Sequence, residues 1–130
     1  MSMYIRETNG VVPISLDESQ LRIYGKLYNE HTLPGITDDS SLEDIVKSYL
    51  PNRSSVTLWI NGDTKYGQEV RHDTHESDLL GDLFISKCLG YCYLRIWSII
   101  GRAMYLNVYY SDTGTSWWRT WYQVQLNAIS

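Results

Sequence analysis

The chain has 130 residues, the size of one ordinary domain, and that length buries roughly two thirds of its unfolded surface without disulfide or metal staples. Charged residues are 20% of the chain and the net charge is -4, a modest acidic balance that argues against nucleic acid as a main partner, since a phosphate backbone demands a basic field. No apolar run approaches the roughly 20 residues of a membrane-spanning helix, and the opening MSMYIRETNG lacks the hydrophobic stretch of a signal peptide, so no membrane insertion is expected.

Residues 4–33 alternate short apolar and polar stretches. Asn9-Gly10 signals a turn, and Pro13 confines its segment to an edge or irregular extended piece. In LRIYGKLY, a strand would place Leu21, Ile23, Gly25 and Leu27 on one face and Arg22, Tyr24, Lys26 and Tyr28 on the other. With so few large apolar groups, this segment needs a partner surface. Pro34-Gly35 breaks the chain. A helix is predicted next, over about 41–50, with Asp39 or Ser40 as N-cap and Ser40-x-x-Glu43 in capping-box form. Leu42, Ile45, Val46 and Tyr49 make its buried stripe, and Pro51 ends it.

The period then changes to two. Val56, Leu58 and Ile60 alternate with Thr57 and Trp59, which predicts a strand closed by Asn61-Gly62. Residues 61–82 are polar and read as a long loop, with at most a short turn of helix or strand near 67–71. Strands follow over Leu83–Leu89 and Tyr91–Ile100, with a turn at Gly101-Arg102. A hairpin of Met104–Ser111 and Trp117–Leu126 crosses the polar loop at Asp112–Ser116. Short linkers make an antiparallel meander the natural topology.

Ten of the seventeen aromatics fall between Tyr91 and Tyr122, and only Arg95, Arg102, Asp112 and Arg119 carry charge there. Tyr and Trp favour half-wet places because each joins an apolar ring to a polar tip. Neighbouring strand residues point to opposite faces. The doublets Tyr109-Tyr110, Trp117-Trp118 and Trp121-Tyr122 therefore cannot all be core. The outward rings serve a subunit interface or a sugar-binding face.

Catalytic signals are sparse. HDTHESD, His72 to Asp78, is the main cluster of ligand-type side chains. H-x-x-H without a third ligand is weak for a metal, and a solvated acidic loop is the plainer reading. The acids Asp63, Glu69, Asp73, Glu76, Asp78 and Asp82 share that loop, and nothing selects the pair a glycosidase needs. No nucleophile elbow, P-loop or dinucleotide fingerprint occurs. Cys88 and Cys92, spaced C-x3-C, read as small buried residues, with a disulfide across a hairpin at Gly90 as the alternative. No metal, cofactor or catalytic residue is expected.

Two stretches resemble phage tail-fibre tips. Leu21 to Ile36 is similar to the YGKxYxExxxP segments that lead from a fibre shaft into its distal head. Leu106 to Asn127 resembles the final hairpin of tail-fibre and pyocin-type knob domains, matching at Gly114, Ser116, Trp117, Arg119 and Trp121. SSLEDIVKSYLPNRSSVTLWIN has the helix-then-strand order with which such heads begin, and the loop from Asn61 to Asp82 has no counterpart in the pattern. The resemblance implies an intertwined homotrimer. A shaft or neck segment over 1–36 would precede a head over 37–130, mostly β with one helix and built as an antiparallel β-sandwich-like unit. It implies a virion protein at the distal end of the fibre that binds a bacterial surface glycan or outer-surface protein. Trp97, Tyr109, Trp117, Trp118, His72 and His75 are the expected contacts. A small monomeric phage-encoded inhibitor of a host protein is the alternative, and a polysaccharide depolymerase a third.

Overall fold

A computed structural model describes residues 2–7, 10–15, 25–99 and 103–129, the first two stretches by backbone course alone. The expected strand residues Leu21 to Tyr24 and the Gly101-Arg102 turn lie outside the described residues.

Strands β1 (Ser2–Glu7) and β2 (Gly10–Ser15) form an antiparallel hairpin in register from Ser2↔Ser15 to Glu7↔Gly10. The remaining strands form one seven-stranded sheet: β3 (Lys26–Asn29), β4 (Ser54–Ile60), β5 (Gly81–Cys88), β6 (Tyr91–Ser98), β7 (Ala103–Asp112), β8 (Thr115–Trp118) and β9 (Tyr122–Gln125). The order runs β3 to β8 in sequence, and β9 also pairs with β7. β3 and β4 are parallel, whereas every other pair in this sheet is antiparallel. The parallel joint departs from the expected meander. It is possible because 24 residues and a helix separate β3 from β4, enough for a crossover.

These seven strands make a single sheet and not a sandwich. Residues Val56, Leu58, Ile60, Leu83, Ile85, Leu94, Ile96, Ala103, Tyr105 and Tyr109 bury one face of the sheet. Helices and loops cover that face through Leu33, Leu42, Ile45, Val46, Leu50, Tyr66, Val70 and Leu79. A helical layer therefore takes the place of a second sheet. β3 joins this sheet and Leu33 is buried in the same core.

Two helical segments form this layer, where one was expected. The first, α1 (Leu42–Asp44), runs directly into a π-helical turn, Ile45–Tyr49. Its cap is Ser41, whose hydroxyl accepts from Asp44 N at 3.1 Å. The expected cap, Ser40, is buried and instead closes the preceding turn, accepting from Thr37 N at 2.9 Å. The predicted stripe holds, with Leu42, Ile45 and Val46 buried and Tyr49 packed at the core's edge. Lys87 Nζ ends the segment from β5, donating to Val46 O at 2.6 Å and Lys47 O at 3.3 Å.

The second helix, α2 (Lys65–Thr74), lies inside the stretch expected to be a loop. Thr64 caps it, accepting from Gly67 N at 3.0 Å. At its other end His75 turns left-handed at φ 58° and donates its N–H to Arg71 O and His72 O. Only Tyr66, Gly67 and Val70 are buried, so the apolar stripe is too thin for periodicity to reveal.

Strand alternation separates the aromatic doublets. Tyr109 is fully buried, while Tyr110 stacks on Trp117 on the opposite face, centroids 5.3 Å apart. The predicted last strand is two strands. Trp118 pairs with Tyr109 and Tyr122 with Leu106, so three residues, Arg119 to Trp121, stand opposite two. This one-residue bulge shifts side-chain parity. Trp121 packs against the core, and Tyr122 returns to the open face.

Candidate functional site

The bulge bends the last strand over the helical layer. A cleft of about 370 Å³ opens there, lined by Leu42 and Glu43 of α1, Glu69, His72, Asp73 and His75 around α2, Asn107 of β7, and Trp118 to Trp121. That volume lies within the roughly 300–1,000 Å³ typical of ligand clefts. Each wall has a structural cause. Trp118 lies on the buried ring of Tyr109 at 4.5 Å between centroids and 51° between planes, which leaves its other side to the cleft. Trp121 is half-buried against the core at the bulge.

The carboxylates are placed by contacts across the helices. Glu69 accepts from Leu42 N at 3.0 Å, so α2 supplies an anion to the start of α1, where free N–H groups favour one. Glu43 accepts from the Tyr109 hydroxyl at 3.4 Å. The residue expected to complete a capping box thus turns to the core tyrosine. Asp73 Oδ1 sits 3.0 Å from His72 Nδ1. Arg119 lines the cleft, and its guanidinium reaches back over the Trp117 ring, 4.9 Å from the centroid.

The six expected contact residues divide among the cleft, the open sheet face and the core. His72, His75 and Trp118, remote in sequence, meet in the cleft. Trp97 and Trp117 are on the opposite, open face of the sheet. Tyr109 is fully buried beneath Trp118, so it supports that ring and cannot touch a ligand, except through the hydroxyl it extends to Glu43. The reason is parity: Tyr109 shares the inward face with Ala103, Tyr105 and Asn107.

Sequence reasoning missed Glu43, Glu69, Asn107 and Trp121 as site residues. The i, i+3, i+4 spacing of Glu69, His72 and Asp73 was available as a signal once 65–74 is read as helix. Nothing local marks Glu43 or Asn107.

His72 and His75 also edge a second, more open groove of about 560 Å³ with Gly62, Gln68, Arg71 and Ser77. Among the described residues no three His, Cys, Asp or Glu groups come together as a metal-binding cluster. Cys88 and Cys92 are both free, because Cys92 pairs with Lys87 and points inward while Cys88 pairs with Tyr91 and points outward. No helix among the described residues is long and apolar enough to cross a membrane.

No protein-family model, curated protein or solved structure matches this chain.

Proposed function

We propose that this protein is the receptor-binding tip of a phage tail fibre: a non-catalytic adhesion module at the distal end of the virion that holds a bacterium by a surface glycan. The observation that carries the reading is the cleft at the bulge, where Trp118 and Trp121 stand beside Glu43, Glu69, Asp73, Asn107 and Arg119. A sugar ring has an apolar C–H face that lies on flat indole surfaces. Its hydroxyls both donate and accept, which suits the carboxylates and the amide of the cleft. An open cleft of this kind holds one site weakly. A homotrimer presenting three such sites raises the overall affinity through effective concentration, with the N-terminal segment joining each head to the fibre.

The test is binding of labelled protein to host cells and to arrayed bacterial surface glycans. Trp118→Ala and Trp121→Ala are each expected to lose at least tenfold in affinity, about 1.4 kcal/mol. Undiminished binding by both variants, with circular dichroism unchanged, would remove the cleft as the receptor site. The alternative, a monomeric phage-encoded protein that inhibits a host protein, is favoured by one observation. The open sheet face exposes Tyr93, Trp97 and Tyr122, each more than half exposed. A monomer that binds no glycan but captures one host protein through Trp97 would establish it.

A further inference from the structure

We infer that the open face of the sheet is where copies of this chain pack against one another. The inference rests on the preceding reading only for the number of copies, and stands whatever the cleft binds. The register places rows of side chains across this face. One row runs Trp59, Asp82, Trp97, Met104, Val124, and the next Thr57, Phe84, Arg95, Leu106, Tyr122. Tyr93 and Val108 follow, then Tyr91, Tyr110 and Trp117, whose rings interlock at 4.7 to 6.3 Å between centroids. Leu27 of β3 joins at the edge, 76% exposed. Both helices pack on the other side of the sheet.

Size argues for a macromolecular occupant. Six strand positions spaced about 4.8 Å apart and strands of about 25 Å give a face of roughly 700 Å². Polar positions such as Thr57, Asp82 and Arg95 are included in that area, and the whole is close to the roughly 800 Å² that a standard interface takes from each partner. Charge argues for a second copy. The chain carries -4 overall. This face, however, holds two acids, Asp82 and Asp112, against two bases, Arg95 and Arg119, the latter folded over Trp117. The face is therefore neutral, and identical copies can meet on it without like-charge repulsion. Arg95 lies over Phe84 at 5.3 Å and has no carboxylate partner among the described residues, which leaves it open to pair with an acid of the neighbouring copy.

Sedimentation velocity of the whole chain across a concentration series tests this, with Tyr93→Glu/Trp97→Glu as the variant. Both side chains are 56% exposed, so the substitutions leave the core intact. Wild type is expected to assemble, and the variant to need at least tenfold higher concentration to do so, with the far-UV spectrum unchanged. A wild type that stays monomeric at about 100 μM, well above a micromolar Kd, overturns the inference and gives the face to a different protein or to residues 1–24. An assembly that the folded variant leaves intact also overturns it. Glycan and cell binding measured on the same preparations separates the two readings. An assembled protein that ignores cells ends the receptor reading alone, and a monomer that binds glycan ends this one alone.

Discussion

Cys88 and Cys92 lie four residues apart and meet opposite environments, since the hairpin register turns one outward and the other into the core. Burial pushes the Cys92 thiol up from 9.0 to about 11, with the Lys87 ammonium offsetting part of the rise. At neutral pH an alkylating reagent is therefore expected to modify Cys88 alone, and mass spectrometry of the native and unfolded protein should show one and then two labels. The folded state favours the neutral thiol, so the stability it lends is complete below about pH 9 and fades as pH rises through about 11. Tyr66 and Tyr105, also raised by burial, act in the same direction. Urea midpoints between pH 8 and 10.5 are expected to fall, and to fall less in Cys92→Val. A different strain sits at Leu89. It holds φ 53° next to Gly90 at φ 86°, the two positive angles of a tight type I′ hairpin. A leucine is poorly suited to that backbone, so Leu89→Asn is expected to raise stability by about 0.5–1 kcal/mol, measured by thermal or urea unfolding.

Among the elements, α2 shows how a helix can be built with little apolar periodicity. Its cap, Thr64, and its close packing at Gly67 do the work that a broad stripe does elsewhere. A Cβ added at Gly67 would lie 2.2 Å from the carbonyl oxygen of Asn61. Gly→Ala in a helix ordinarily gains up to about 1 kcal/mol; here the sign is expected to reverse, with Gly67→Ala losing roughly 1–3 kcal/mol in urea unfolding. The bulge at Arg119 to Trp121 is the other element on which the site depends. Deleting Thr120 leaves Arg119 and Trp121 opposite two residues of β7, Asn107 and Val108, with Tyr122 still opposite Leu106, so the bulge is removed and Trp121 shifts along the cleft wall. The expected outcome is a folded but less stable protein, read by calorimetry, which under the proposed function also loses glycan binding in the same assay. β4 and β6 were legible in the sequence because their alternation is strict. α2 and the bulge were not, since a cap, a glycine and one extra residue leave no periodic trace.

At the scale of the whole molecule, the sheet has a covered face and an uncovered one, and the two serve different tasks. The covered face carries the aliphatic core and, where the last strand bends over the helices, the cleft. The uncovered face carries the rings the core cannot use. Under the proposed association, thermal stability is concentration-dependent: the midpoint is expected to rise with protein concentration in wild type and to stay flat in the Tyr93→Glu/Trp97→Glu variant.

The sequence by itself determined that the chain is β-rich, that a helix starts near residue 41, and that each aromatic doublet must straddle the sheet, because these follow from periods of 3.6 and 2 that local sterics impose. It also marked His72, His75 and Trp118. Only the tertiary structure decided that a helical layer stands where a second sheet was expected. Only it turned Tyr109 into a buried support and joined Glu43, Glu69 and Asn107 to Trp118 in one cleft. Those outcomes depend on contacts between residues tens of positions apart, such as Glu69 with Leu42 and Glu43 with Tyr109, and on a single inserted residue. Neither alters the local pattern from which a sequence is read.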